Sequence, residues 1–145
     1  MLALIQRVTT ARVDVAGETV GAIGPGLLAL VGIEPADGEP QVARMAQRLL
    51  GYRVFDDGQG RMNLSLAQTG GGLLLVSQFT LAADTSSGMR AGFQTAAPPE
   101  RAEPLFNRLV EACRAAHPAV ETGRFGAHMV VSLANDGPVT FLLRA

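Results

Sequence analysis

Four residues, Ser77-Gln78-Phe79-Thr80, end the apolar run Leu73 to Val76 and gather two hydroxyls, an amide and free backbone N–H groups at one point of the chain. A buried strand that turns polar at its end, beside a long loop, carries what is needed to stabilise an oxyanion. The same residues also read as plain structure, with Ser77 and Thr80 satisfying backbone groups and Phe79 packing in the core. Both readings stand at this point. A second polar segment, Asn135-Asp136-Gly137-Pro138-Val139-Thr140, has the composition of a turn between two strands, because Asn, Asp and Gly favour turns and Pro is tolerated where a strand begins. Only about 5–6% of X–Pro bonds in folded proteins are cis, so nothing local marks Pro138 as cis. Gly24-Pro25 serves elsewhere as ordinary punctuation.

Other chemistries find less support. Cys113 lies mid-helix on a largely apolar face, where a thiol is inert core rather than a nucleophile. His117 falls at a helix end before Pro118, a placement the helix dipole explains. His128 is a conceivable base, but no Ser or Cys is tied to it and the nucleophile-elbow pattern Gly-x-Ser-x-Gly is absent. With one cysteine and two dispersed histidines there is no disulfide and no metal-ligand spacing. No metal or cofactor is expected.

Strands must hold these segments in place. Leu2 to Thr9, Arg12 to Val15, Val20 to Ile23 and Leu27 to Ile33 read as an antiparallel meander, broken at Ala16-Gly17-Glu18 and Gly24-Pro25-Gly26. A helix is expected from Glu39 to Gly51, with Pro40 in its first turn and Val42, Met45, Ala46 and Leu49 facing the core. Tyr52 to Phe55 returns as a strand, Asp56 to Gly60 turns, and Leu73 to Val76 is a buried strand. Residues 82–97 lack periodicity and read as a long surface loop. A second helix runs from Pro98-Pro99-Glu100 to about Ala116, with Leu105, Leu109, Ala112 and Ala116 on one face and Phe106, Val110 and Cys113 beside it. Strands near Ala119 to Thr122, Met129 to Leu133 and Val139 to Leu143 close the chain. This order gives an α+β fold, a strongly twisted, barrel-like mixed or antiparallel sheet covered by two helices.

The 145 residues fit a single domain spanning 1–145, and 48% hydrophobic with 17% charged residues argues for a packed core rather than disorder. An early Arg7 and the lack of a long apolar run leave no signal peptide or membrane span, so a cytoplasmic protein is expected. All 12 basic residues are Arg and the net charge is -1. A nucleic acid would therefore be gripped at one end by a few arginines around a pocket, not along a duplex.

Taken together, the two polar segments and their surroundings resemble the D-aminoacyl-tRNA deacylases, the D-tyrosyl-tRNA deacylase family. The resemblance runs through Ala3 to Val8, Gly24 to Leu28, Gly51 to Phe55, Met62-Asn63-Leu64, Ser77 to Asp84, Thr122 to Gly126, Val131 to Leu133 and Asn135 to Phe141. One departure is Arg90-Ala91-Gly92-Phe93, where the family commonly has Arg-Pro-x-Phe. The resemblance implies a homodimeric tRNA-binding hydrolase, with its active site at the subunit interface, that releases D-amino acids, and glycine, from the 3′-terminal ribose of tRNA. It implies that Gly137-Pro138 is a cis dipeptide inserted into the partner subunit's pocket, where its carbonyls exclude an L side chain. Arg7 would hold that dipeptide from behind. Backbone N–H groups of Phe79 and Thr80 would stabilise the oxyanion, Ser77 and Gln78 would position the terminal adenosine and ribose, and Met129 would line the adenosine pocket. Two chemical steps remain open: attack by water helped by the ribose 2′-hydroxyl, or attack by the Thr80 hydroxyl. A non-catalytic nucleic-acid-binding module of the same fold is the rival class.

Overall fold

The computed structural model describes residues 1–145. Its axis is β1 (Leu2–Val15), which pairs on both edges. Its first half lies antiparallel to β3 (Gly26–Gly32), and its second half is antiparallel to β2 (Glu18–Ile23). The strands therefore do not form the expected meander. β1 is one strand of 14 residues, about twice as long as β2 or β3, so β2 covers its far half and β3 returns to its near half. β8 (Val130–Arg144) runs antiparallel along the whole opposite edge.

From β3 the sheet continues in parallel to β6 (Gly72–Ser77) and then to β7 (Val120–Thr122), which makes it mixed. The period-two alternation of β3 and β6 divides their side chains between two cores. Leu27, Ala29, Val31, Leu73 and Leu75 belong to the larger cluster, under the helices, whereas Leu28, Leu74 and Val76 meet Val8, Ala11, Val13 and Ile23 inside the curved sheet. Both faces are buried, which is why Leu73 to Val76 is apolar without interruption. The sheet nearly closes on itself where β2 crosses β7. A Cβ at Gly21 would stand 2.4 Å from the Thr122 carbonyl oxygen, so only glycine permits that approach.

Helix α1 (Glu39–Gly51) follows the expected bounds, and Val42, Met45, Ala46 and Leu49 are buried. The Gln41 side chain reaches back to accept the Gly38 N–H at 3.0 Å, satisfying one of the donors a helix start leaves open. A two-stranded ribbon, β4 (Arg53–Asp56) and β5 (Met62–Ser65), leads into the short α2 (Leu66–Thr69), whose N-cap is Ser65. α2 is a third helix beyond the two expected; a four-residue turn has too little periodicity to be read in advance.

Helix α3 (Pro99–Ala116) has the expected length but a rotated face. Ala102, Phe106, Leu109, Val110 and Cys113 are buried, while Leu105 and Ala112 are half-buried and Ala116 is exposed. Leu105 and Ala112 pack against the margin of this core. No helix is long and apolar enough to cross a membrane.

Candidate active site

At Ser77 the β6 strand leaves the sheet. The Gln78 N–H donates to the Val31 carbonyl at 2.7 Å, and the chain then winds into a 3-10 turn, Phe79–Ala82, closed by the Leu81 N–H donating to the Gln78 carbonyl at 3.1 Å. The first two N–H groups of such a turn, those of Phe79 and Thr80, have no partner within it. The Gln78 side-chain amide donates to the Thr80 hydroxyl, which ties the two side chains together. Ser77, Gln78 and Phe79 line a cavity of about 630 Å³ whose 18 lining residues include 12 hydrophobic ones. In such apolar surroundings a few oriented donors act more strongly than they would in water.

Phe79 does not pack in the core, as the plain structural reading of the segment had it. It is 57% exposed, and its ring lies 5.2 Å from that of Phe93. Phe93 is held there by the loop, which is stitched at three points. Asp84 and Gly92 exchange backbone hydrogen bonds of 2.8 and 2.9 Å, the Thr95 hydroxyl donates to the Ala82 carbonyl, and the Ala97 N–H donates to the Ile33 carbonyl. The Ser86 N–H donates to the Asp84 carboxylate and holds its pKa below the usual value. Ala91, where the family commonly has proline, sits on the exposed outer part of this loop.

Met129 and Phe125 form further walls of the cavity, and His128 stands exposed at its rim. Gly123 gives Met129 its room: a Cβ there would lie 2.6 Å from the Met129 sulfur. Nothing in the residue pattern singled out Gly123, because its role depends on a neighbour six positions on. Cys113 is fully buried, and burial pushes its thiol up to about 11, which agrees with inert core. His117 is also buried, with Nε2 2.7 Å from the Gly71 carbonyl, so it links the end of α3 to the start of β6.

The segment expected as a turn between two strands lies instead within β8. Gln6 pairs with Thr140 and Val8 with Asn135, so four residues, Asp136 to Val139, face the single residue Arg7. They leave the ladder as an excursion whose middle is Gly137-Pro138. The peptide bond before Pro138 is cis, and Gly137 has φ +126°, a region that L side chains rarely adopt. Arg7 stands behind the excursion. Its Nε donates to the Asp136 carbonyl at 3.2 Å and lies 3.3 Å from the Asp136 carboxylate, while its Nη1 donates to the Val54 carbonyl at 2.7 Å. Asn135 closes the neck by accepting the Val139 N–H at 3.0 Å, and its amide donates to the Thr140 hydroxyl at 2.9 Å.

The structure brings Ser77, Gln78, Phe79 and Met129 together around the cavity and groups Arg7 with Gly137-Pro138. It does not bring the two groups to one site in the same chain, since Arg7, Gly137 and Pro138 do not line the cavity. Thr80 lies just outside the lining and is exposed. β8 pairs only with β1, and Val130, Leu133, Phe141 and Leu142 are exposed along it.

Comparison of this nearly closed, helix-covered barrel with known proteins gives one consistent family. The family model described as D-Tyr-tRNA(Tyr) deacylase matches residues 4–144. D-aminoacyl-tRNA deacylases of Stenotrophomonas maltophilia strain K279a and Xanthomonas campestris pv. campestris strain 8004 are 74% and 72% identical over 145 residues, covering 99% of both chains in each case. The solved structure of a c-Myc DNA Unwinding Element Binding Protein superimposes with TM-score 0.95 at 38% identity, over 100% of this chain and 99% of the other. A probable eukaryotic D-amino acid tRNA deacylase, 16% identical, shares the fold with TM-score 0.85 over 99% of this chain and 98% of its own. The class is thus a hydrolase acting on aminoacyl-tRNA. The chain belongs to the D-aminoacyl-tRNA deacylase family.

Proposed function

We propose that this enzyme, as one deacylase domain spanning 1–145, works in the cytoplasm as a homodimer in which each pocket is completed by the Gly137-Pro138 excursion of the partner subunit. The observation that carries the proposal is the separation of the two halves. The excursion is shaped and clamped yet stands apart from the cavity at the end of β6 in its own chain, and it rises from a strand with an open edge and exposed apolar side chains. A two-fold axis relating two copies would supply each pocket with the other's excursion, since such an interface is made of the same patch twice.

In the completed pocket the ester carbonyl sits against the 3-10 turn, where the Phe79 and Thr80 N–H groups stabilise the tetrahedral oxyanion. Water adds to the carbonyl carbon, the bond to the ribose 3′-oxygen breaks, and a proton passes to that oxygen, giving free D-amino acid and tRNA. The neighbouring 2′-hydroxyl helps orient the water. Ser77 and Gln78 position the ribose and terminal adenosine, with Met129 on the adenosine side. Thr80 is the alternative nucleophile, but its hydroxyl accepts from Gln78 and has no base beside it.

Selectivity comes from exclusion. D and L substrates offer the same groups, so a filter has to clash with one arrangement rather than bind the other better. Rigid carbonyls of Gly137 and Pro138 at the α-carbon would do so, and glycine, having no side chain, would pass. The neighbour at 38% identity is named for binding a DNA unwinding element, which favours a second reading, a nucleic-acid-binding module without catalysis. A net charge of -1 gives that reading little general affinity for phosphate. Incubation with D-tyrosyl-tRNA and L-tyrosyl-tRNA at matched concentration separates the two. D-selective release is expected; no release, with RNA still bound, would favour the module.

A further inference from the structure

We infer that Asn135, acting with Thr140, is a positioning residue that sets the shape of the Gly137-Pro138 excursion and thereby the stringency of the chirality filter; this rests on the filter reading above. A four-residue excursion from an antiparallel ladder has two ends that must be tied, because the backbone pairing it interrupts cannot tie them. Gln6 and Val8 keep their partners, Thr140 and Asn135, on either side of the gap. Between those anchors the ladder offers only Arg7.

The neck is tied by groups of opposite polarity. On the acceptor side, the Asp136 carbonyl takes a hydrogen bond from Arg7 Nε at 3.2 Å. On the donor side, the Val139 N–H finds no carbonyl across the ladder and is taken instead by Asn135 Oδ1 at 3.0 Å, a side chain standing in for a missing strand neighbour. This fixes the orientation of the Asn135 amide, since its oxygen must face Val139. Its nitrogen then donates to Thr140 Oγ1 at 2.9 Å, and the same oxygen receives Gln6 Nε2 at 3.3 Å. Asn135, Thr140 and Gln6 thus form one chain of hydrogen bonds from β1 across the base of the excursion. Arg7 holds the excursion's far side, and its Nη2 lies 3.0 Å from where a Cβ on Gly137 would stand. With both ends fixed, Gly137 and Pro138 have little freedom to recoil from an intruding side chain. A filter that works by exclusion is only as strict as it is stiff.

The test measures kcat and KM on D-tyrosyl-tRNA and L-tyrosyl-tRNA with full-length Asn135→Ala. Losing both hydrogen bonds is expected to lower the ratio of kcat/KM for D over L by about tenfold, with L-tyrosyl-tRNA cleavage rising. A merely structural role would reduce both activities alike and leave the ratio unchanged, and that result overturns the inference. Thr140→Val, close in shape, guards against a folding defect in the first variant. It should lower the ratio by a few-fold, Thr140→Ser should restore it, and an unchanged ratio in Thr140→Val also counts against the chain of bonds. Gly137→Ala reports on the underlying reading. If it destroys selectivity while Asn135→Ala does not, the clamp alone fails; if neither changes the ratio, the filter reading fails and the clamp with it.

Discussion

The end of β6 and the middle of β8 solve opposite problems. At Ser77 to Thr80 the chain opens a hollow of about 630 Å³ with mostly apolar walls and leaves main-chain donors at its edge. At Asp136 to Val139 it builds a projection and commits the side chains of Arg7 and Asn135 to holding it. On the proposed mechanism the hollow should tolerate change at the Thr80 hydroxyl, because the oxyanion donors are main-chain groups. The projection should not tolerate change at Arg7 or Asn135, because its shape is set by a few contacts.

The sharpest way to break this contrast is Gly137→Ala. A Cβ there would meet Val139 Cγ2 at 2.8 Å and Arg7 Nη2 at 3.0 Å in a backbone conformation that already disfavours it. Strain of about 1–3 kcal/mol implies a roughly 5- to 150-fold loss of D-selective kcat/KM. Assays on both enantiomers check this. Arg7→Lys comes next, with about a tenfold loss of the D over L ratio, because an ammonium cannot reach Asp136 and Val54 as the guanidinium does. On the hollow's side, Thr80→Ala is expected to keep kcat within a few-fold of the parent, since backbone donors survive the change. Near-total loss would instead assign the attack to the Thr80 hydroxyl.

The smallest effect lies away from both regions. Burial raises the Cys113 pKa to about 11 from 9.0, so the folded state holds the thiol proton more tightly than the unfolded state. Its contribution to stability is complete below about pH 9 and fades as pH rises toward about 11. Alkylation with iodoacetamide at pH 8 should therefore modify the unfolded chain and spare the native one.

How much of this was readable from residues differs between the two regions for a physical reason. The uninterrupted apolar run Leu73 to Val76 and the helical periodicity of Glu39 to Gly51 both report directly on burial, so the strand that delivers Ser77 and the helix behind it are legible. On α3 the apolar side chains offer two neighbouring stripes, and only the cavity to be filled sets how deeply each residue is buried. Asn135 to Thr140 has turn composition, and a turn and an excursion within a strand need the same Asn, Asp, Gly and Pro. The difference lies in what pairs on either side, namely Gln6 with Thr140 and Val8 with Asn135, and that is a long-range fact. The clamp by Asn135 is local, to Val139 and Thr140, but in sequence it is indistinguishable from the bonds an Asn makes to backbone in any turn. The filter role proposed for Gly137-Pro138 rests on family resemblance, not on any local signal.

The central claim is that a hollow in one subunit works with a projection from another. Complementation tests it directly. A filter variant, Gly137→Ala, and a variant that fills the cavity lined by Ala127, Ala127→Trp, each strongly impaired in D-selective hydrolysis, are mixed after dissociation and allowed to reassociate. In half of the resulting dimers one pocket is intact and faces an intact excursion, so about a quarter of the parental D-selective rate should return. If hollow and projection act within one chain, or if no dimer forms, mixing restores nothing.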